Sequence, residues 1–130
     1  MTLHAMFEDA DDFKAGFAGG PVTDWHYYDT IYTERYLGLL PEHEQNYRDS
    51  SPIGKAGQLR GNLLIAHGTG DDNVHFANTL ALVDKLIEYG KYVQVMPFPG
   101  RGHGVSDPPA RTILMNQVTQ FFVENLGQGN

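Results

Sequence analysis

The chain has 130 residues, 41% of them hydrophobic and 19% charged, as expected of one soluble globular domain. Its formal net charge of -7 argues against nucleic acid as a partner, because that binding leans on Lys and Arg neutralising phosphates. There is no cysteine, which excludes disulfides and thiolate chemistry, and no apolar run approaches the roughly 18 residues of a membrane-spanning helix.

The opening segment, MTLHAMFEDADDFK, has neither the basic start nor the long apolar core of a secretory signal. It reads as an apolar helical turn (Met1, Leu3, Ala5, Met6, Phe7) entered without a capping residue and followed by a solvated acidic end. Residues Met1 to Glu8 are therefore expected to be weakly anchored unless a second copy covers them. Strands are expected in KAGFAGG, which is glycine-rich, in NLLIAH and in YVQVMPF. Behind the second lies NVHFANTLALVDKLIEYG, where Phe76, Leu80, Val83 and Ile87 fall at helical spacing and Gly90 supplies a stop. Behind the third, DPPARTILMNQVTQFFVENLG places Asp107 as N-cap, Pro108 at the first helical position and Leu114, Val118, Phe121 and Phe122 on one face. Strand, helix, strand, helix at this spacing defines an α/β class with about three parallel strands, ordered as in the sequence and flanked by helices.

Pro21 to Gly61 is too long for a plain loop and is expected to hold small helices or function. Its DWHYYDTIYTERYLG segment spaces Tyr28, Tyr32 and Tyr36 by four, so a helix there would raise one aromatic ridge beside Trp25. Such a ridge serves equally as core packing or as a pocket wall, since each tyrosine keeps a hydroxyl to satisfy.

Ligands and catalytic groups of parallel α/β sheets collect at the carboxyl ends of the strands. HGTGDDN follows the second strand and GRGHG the third, so Asp71 and His103 are expected at neighbouring strand ends. A carboxylate beside an imidazole is the pair that orients the tautomer and stabilises the imidazolium in a Ser-His-Asp site. The glycines around His103 should let that loop turn tightly. The blander reading keeps Asp71 as a cap and His103 as an exposed loop residue. GTGDDN is a poor nucleotide turn, because two acids stand where pyrophosphate would sit. His67, Asp71, Asp72, His75 and His103 match no usual zinc spacing, and no metal is expected; His67 follows apolar strand residues and reads as a hydrogen-bonded structural histidine. His75 reads as a surface residue.

Taken together, HGTGDDNVHF, WHYYDTIYTERYLG and GHGV resemble the carboxyl-terminal part of the catalytic domain of the dipeptidyl peptidase IV family, within the prolyl oligopeptidase group of serine peptidases. The resemblance runs over nearly the whole chain. It implies part of an α/β-hydrolase, whose triad members follow the order Ser, Asp, His. It also implies Asp71 and His103 as triad members and Asn73 as a hydrogen-bond donor to a substrate carbonyl. Val22, Trp25, Tyr28, Tyr32 and Val74 become the walls of a small pocket for a penultimate proline or alanine. The implied substrate is a peptide with that penultimate residue, and no cofactor is implied.

The family's nucleophile lies in a G-W-S-Y-G-G type elbow, and Ser50, Ser51 and Ser106 have no such setting. Residues 1–130 are thus expected to be a partial catalytic domain without the elbow and without the family's β-propeller, close to inactive alone. The open sheet edge is expected to take the missing amino-terminal part of the domain or a second copy. The alternative expectation is a free-standing, non-catalytic binding or assembly module derived from that domain.

Overall fold

The computed structural model describes residues 1–127. Helix α1 is Thr2–Glu8, strand β1 Ala15–Gly19, helix α2 Thr30–Leu37, helix α3 Glu44–Ser50 and strand β2 Asn62–Gly68. Helix α4 (Ala77–Glu88), strand β3 (Gln94–Phe98) and helix α5 (Pro108–Leu126) complete the order, and two 3-10 segments, Trp25–Tyr27 and Pro52–Gln58, lie within the long β1–β2 connection. The three strands form one parallel sheet in the order β1-β2-β3, as the spacing predicts. β1 and β3 fall inside the segments that read as strands, and β2 runs one residue past its segment, to Gly68.

Strand β2 is central, and six of its seven residues are buried, which is why it reads as an unbroken apolar run. Its alternation divides the core in two. Leu63 and Ile65 pack with Leu3, Met6 and Phe7 of α1, Leu82 and Leu86 of α4, and Ala56 and Leu59 of the connection. Ala66, on the opposite face, packs with Phe98, Val105 and Ala110 beneath α5, backed by Phe17, Met96 and Leu114. The result is an α/β/α layering with the carboxyl edge of the sheet left clear for loops.

Two expectations are corrected, and a third is met in position but not in bonding. Helix α1 carries no side-chain cap, yet Leu3, Met6 and Phe7 are buried and the helix is firmly anchored. Gly16 makes this possible, because the Met6 side chain occupies the space a β-carbon would fill. In α4 the buried positions are Asn78, Thr79, Leu82 and Leu86, while Leu80 and Ile87 are 58% and 66% exposed. The helix is rotated from the apolar stripe because two polar side chains find buried partners inside: Asn78 Oδ1 accepts the Thr23 N–H, and Thr79 Oγ1 meets His67 Nδ1. Asp107 does stand at the N-cap of α5, but its carboxylate makes no cap bond and takes two N–H donors from Arg101 instead. Pro108 and Pro109 offer no N–H at the first two helical positions.

The Candidate Active Site

Strands β2 and β3 deliver their chains side by side to the same edge, and the two loops that follow are stitched together. Thr69 N–H donates to Phe98 O at 3.0 Å, Gly70 N–H to Arg101 O at 3.0 Å, and Gly100 N–H to Thr69 Oγ1 at 2.9 Å. Gly68 is required at this seam, since a β-carbon there would lie 2.1 Å from the Arg101 carbonyl oxygen. The Arg101–Asp107 pair, with two bonds of 3.1 Å, holds the far end of the loop. The loop makes two tight turns: Arg101 N–H donates to Phe98 O at 3.2 Å around Pro99 and Gly100, and Val105 N–H to Gly102 O at 3.3 Å around His103 and Gly104, with positive φ at Gly100 and Val105.

Between the stitched loops, His103 Nδ1 lies 2.8 Å from Asp71 Oδ2. The Asp71 side chain is fully buried, whereas that of His103 is 47% exposed, so the ring is fixed at one nitrogen and accessible beyond it. Asp71 Oδ1 accepts the backbone N–H groups of Asn73, at 3.0 Å, and Val74, at 2.9 Å. Burial pushes the Asp71 carboxyl up, but the His103 bond and the two backbone donors outweigh it and hold the group below the ordinary carboxylate range. The carboxylate therefore stays charged and presents its Oδ2 to the imidazole. An Nδ1–H held this way leaves Nε2 with its lone pair free, the state a general base needs.

Gly20 completes the pair from below. It follows β1 with φ +50°, its N–H donates to Ala66 O at 2.8 Å, and a β-carbon there would sit 3.1 Å from the His103 ring. The glycine-rich sequence of β1 was the one visible sign of this close approach.

The aromatic residues cluster beside this pair. Trp25 meets Tyr28 edge-on at 5.7 Å and Tyr32 in a stacked arrangement at 6.2 Å, while Tyr28 and Tyr32 are perpendicular at 5.5 Å. Such offset and edge-to-face pairs rigidify one another. Tyr28 is not on the helix that the spacing suggests: Asp29 caps α2 by accepting the Tyr32 N–H, which leaves Tyr28 in the turn before it. From there its hydroxyl donates to Asn73 Oδ1 at 2.9 Å, directing the Asn73 amide N–H groups outward. Val22 and Trp25 line one cavity, Trp25 and Tyr32 the next, and Tyr28 and Asn73 a third. Val74 is buried under the Asp71 loop and lines none of these. The expected site residues thus form adjoining walls rather than one enclosed pocket.

His67 is buried and fully hydrogen-bonded, and His75 is exposed. Among the described residues no group of three His, Cys, Asp or Glu side chains is arranged to hold a metal ion, and no helix is long and apolar enough to cross a membrane. Among them, too, no serine hydroxyl hydrogen-bonds His103; the Ser51 hydroxyl is engaged with Trp25 N–H and Asp24.

A parallel sheet with a buried acid and an accessible imidazole on its carboxyl edge is the arrangement of part of an α/β-hydrolase fold. Residues 1–129 match the model of the prolyl oligopeptidase family, and the chain belongs to that family. Its relatives place it on the dipeptidyl peptidase IV branch. It is 45% identical over 127 residues to the probable dipeptidyl-aminopeptidase B of Arthroderma otae, covering 95% of this chain and 14% of that protein. Over 129 residues it is 40% identical to the probable dipeptidyl peptidase 4 of Aspergillus clavatus, covering 95% and 17% respectively. The crystal structure of Porphyromonas gingivalis dipeptidyl peptidase 4 superposes with a TM-score of 0.93 at 35% identity, covering 96% of this chain and 18% of that one. The chain therefore spans less than a fifth of the length of each of these proteins.

Proposed function

We propose that residues 1–130 are part of the catalytic domain of a serine exopeptidase that releases X-Pro or X-Ala dipeptides from peptide amino termini. His103 is its general base, Asp71 the acid that orients it, and Asn73 the donor to a substrate carbonyl. Val22, Trp25, Tyr28 and Tyr32 wall the site for the penultimate residue, and Val74 backs it from beneath the Asp71 loop. The observation that carries this reading is the 2.8 Å contact between an accessible imidazole and a buried carboxylate at adjoining strand ends. The aromatic cluster beside it supports the substrate class: a flat, rigid proline ring packs against aromatic walls with little conformational entropy to lose.

In this reading His103 Nε2 accepts the proton of a serine hydroxyl as that oxygen attacks the scissile carbonyl. The imidazolium, stabilised by Asp71, then returns the proton to the departing amine, and water repeats the cycle on the acyl-enzyme. None of this chain's three serines bonds His103, so the nucleophile comes from an elbow outside this chain, as does the family's β-propeller. Residues 1–130 alone should consequently release no dipeptide above a His103→Ala control.

The test replaces the matching segment of Porphyromonas gingivalis dipeptidyl peptidase 4 with this chain and follows dipeptide release from Gly-Pro and Gly-Leu chromogenic substrates. We expect release from Gly-Pro in preference to Gly-Leu. His103→Ala and Asp71→Asn should each cost roughly 10³-fold or more in kcat/KM, the scale seen when triad members are removed. A folded, active hybrid indifferent to His103→Ala would end the proposal.

A further inference from the structure

Asp71 Oδ2 is shared by two imidazoles. Besides His103, it receives His67 Nε2 at 3.1 Å, and the same nitrogen lies 2.8 Å from the Val74 carbonyl oxygen. An ionised carboxylate and a carbonyl only accept, so Nε2 of His67 must carry the proton. Its Nδ1 is 2.7 Å from Thr79 Oγ1, a hydroxyl that can donate to it, which makes the neutral Nε2–H form complete on both sides. The ring is 1% exposed and flanked edge-on by Phe76 at 5.4 Å, leaving it no room to turn.

With this third contact each oxygen of Asp71 has two N–H donors: Asn73 and Val74 on Oδ1, His67 and His103 on Oδ2. Three of the four donors are buried or backbone groups, so they define the carboxylate plane, and His103 alone is free to read it. Were His67 absent, the backbone pair would still hold Oδ1, but Oδ2 would be steered by His103 only. The exposed ring would then be orienting the acid, rather than the acid orienting the ring.

We propose that His67 is a positioning residue. Its neutral Nε2–H fixes the rotation of the Asp71 carboxylate, so that Oδ2 faces His103 Nδ1 and keeps His103 in the Nδ1–H tautomer. It also ties the Val74 carbonyl to the same carboxylate, coupling the acid to that side of the site. This rests on the reading of Asp71 and His103 as an acid–base pair, and its test separates the two.

The experiment is long-range ¹H–¹⁵N NMR of the imidazoles in the whole chain, at a pH where His103 is neutral. The wild-type chain should show His103 as Nδ1–H and His67 as Nε2–H. His67→Phe removes the donor, and the His103 tautomer ratio should fall about tenfold toward Nε2–H, equivalent to about 1.4 kcal/mol. His67→Gln, whose amide N–H reaches the place of Nε2, should restore most of the ratio, a rescue that mere filling of the core would not need. If His67→Phe does not fold, Thr79→Val, which removes the hydroxyl holding Nδ1, should shift the ratio the same way by a smaller factor. A ratio unmoved in whichever of these folds overturns the positioning role while leaving the Asp71–His103 pair intact. A wild-type His103 already in the Nε2–H form would instead defeat the acid–base pair itself.

Discussion

Gly19 and Gly20 are neighbours at the end of β1, and a methyl group added to each should act in opposite directions. Gly20 has φ +50°, where an alanine pays roughly 1–2 kcal/mol for the left-handed conformation. Its β-carbon would also stand 3.1 Å from Cε1 and Nδ1 of His103 and 3.4 Å from Asp71 Oδ2. The half-exposed His103 ring can yield by a few tenths of an ångström, at the expense of its 2.8 Å bond to Asp71. Reduced freedom of the unfolded chain returns about 0.4–1 kcal/mol, leaving Gly20→Ala about 1 kcal/mol less stable than wild type. Gly19 has no positive φ, and its added carbon would meet the Phe17 ring at an ordinary 3.5 Å. Gly19→Ala therefore keeps the unfolded-state gain and should be more stable by about 0.4–1 kcal/mol. For a domain of this size the two variants should bracket the wild-type midpoint in thermal unfolding, separated by about 5–8 °C. Only Gly20→Ala should also move the His103 ring resonances. Equal midpoints for the two variants, or a His103 signal unmoved in Gly20→Ala, would refute the packing of β1 beneath the imidazole.

The burial of Phe7, 1% exposed, makes Phe7→Ala cost roughly 3–5 kcal/mol, measured by urea unfolding; a loss below about 1 kcal/mol would show α1 to be peripheral. Asp71 titrates below its ordinary value of 3.8, so its ionised form adds stability that is present above that pH and is lost as pH falls through the lower, folded-state value. The stability difference between wild type and Asp71→Asn should accordingly shrink between pH 6 and pH 3, and a constant difference would contradict the bonded carboxylate. His26 behaves in the opposite sense. Its bond of 2.6 Å to Asp24 raises its affinity for a proton; burial opposes this, and a second bond of 3.2 Å to Glu44 adds to it. That clamp stabilises the fold fully below the ordinary value of 6.5 and is lost as pH rises through the raised one. The gap in melting temperature between wild type and His26→Gln should close on going from pH 6 to pH 8.5, and a gap that widens would overturn the assignment.

Much of the architecture was legible because parallel strands announce themselves locally. NLLIAHG needs no partner to read as a strand buried on both faces, and its carboxyl end marks the edge where a site can form. The meeting of Asp71 and His103 followed from that edge, and the family resemblance named the aromatic residues around it. What went astray was decided by polar burial. Asn78 and Thr79 look like surface residues of an amphipathic helix, yet Asn78 accepts the Thr23 hydroxyl and N–H and Thr79 meets His67. Those bonds turn α4 away from its apolar stripe. Asp107 stands at the N-cap of α5 as its place before Pro108 suggests, but Arg101, six residues earlier, takes the carboxylate that a cap bond would have used.

The sequence by itself determined the class of fold, the order of its strands and the two loops that carry acid and imidazole, because periodicity and chain direction are properties of short segments. Only the tertiary structure decided that His67 leans on the same carboxylate as His103, that Gly20 lies beneath the ring, and that α1 is a cornerstone of the core. Gly20 meets His103 and α1 meets β2 and α4 across long stretches of chain, while His67 reaches Asp71, four residues on, only because the turn after β2 folds back; in each case the partners are chosen by which groups can satisfy one another once water is gone.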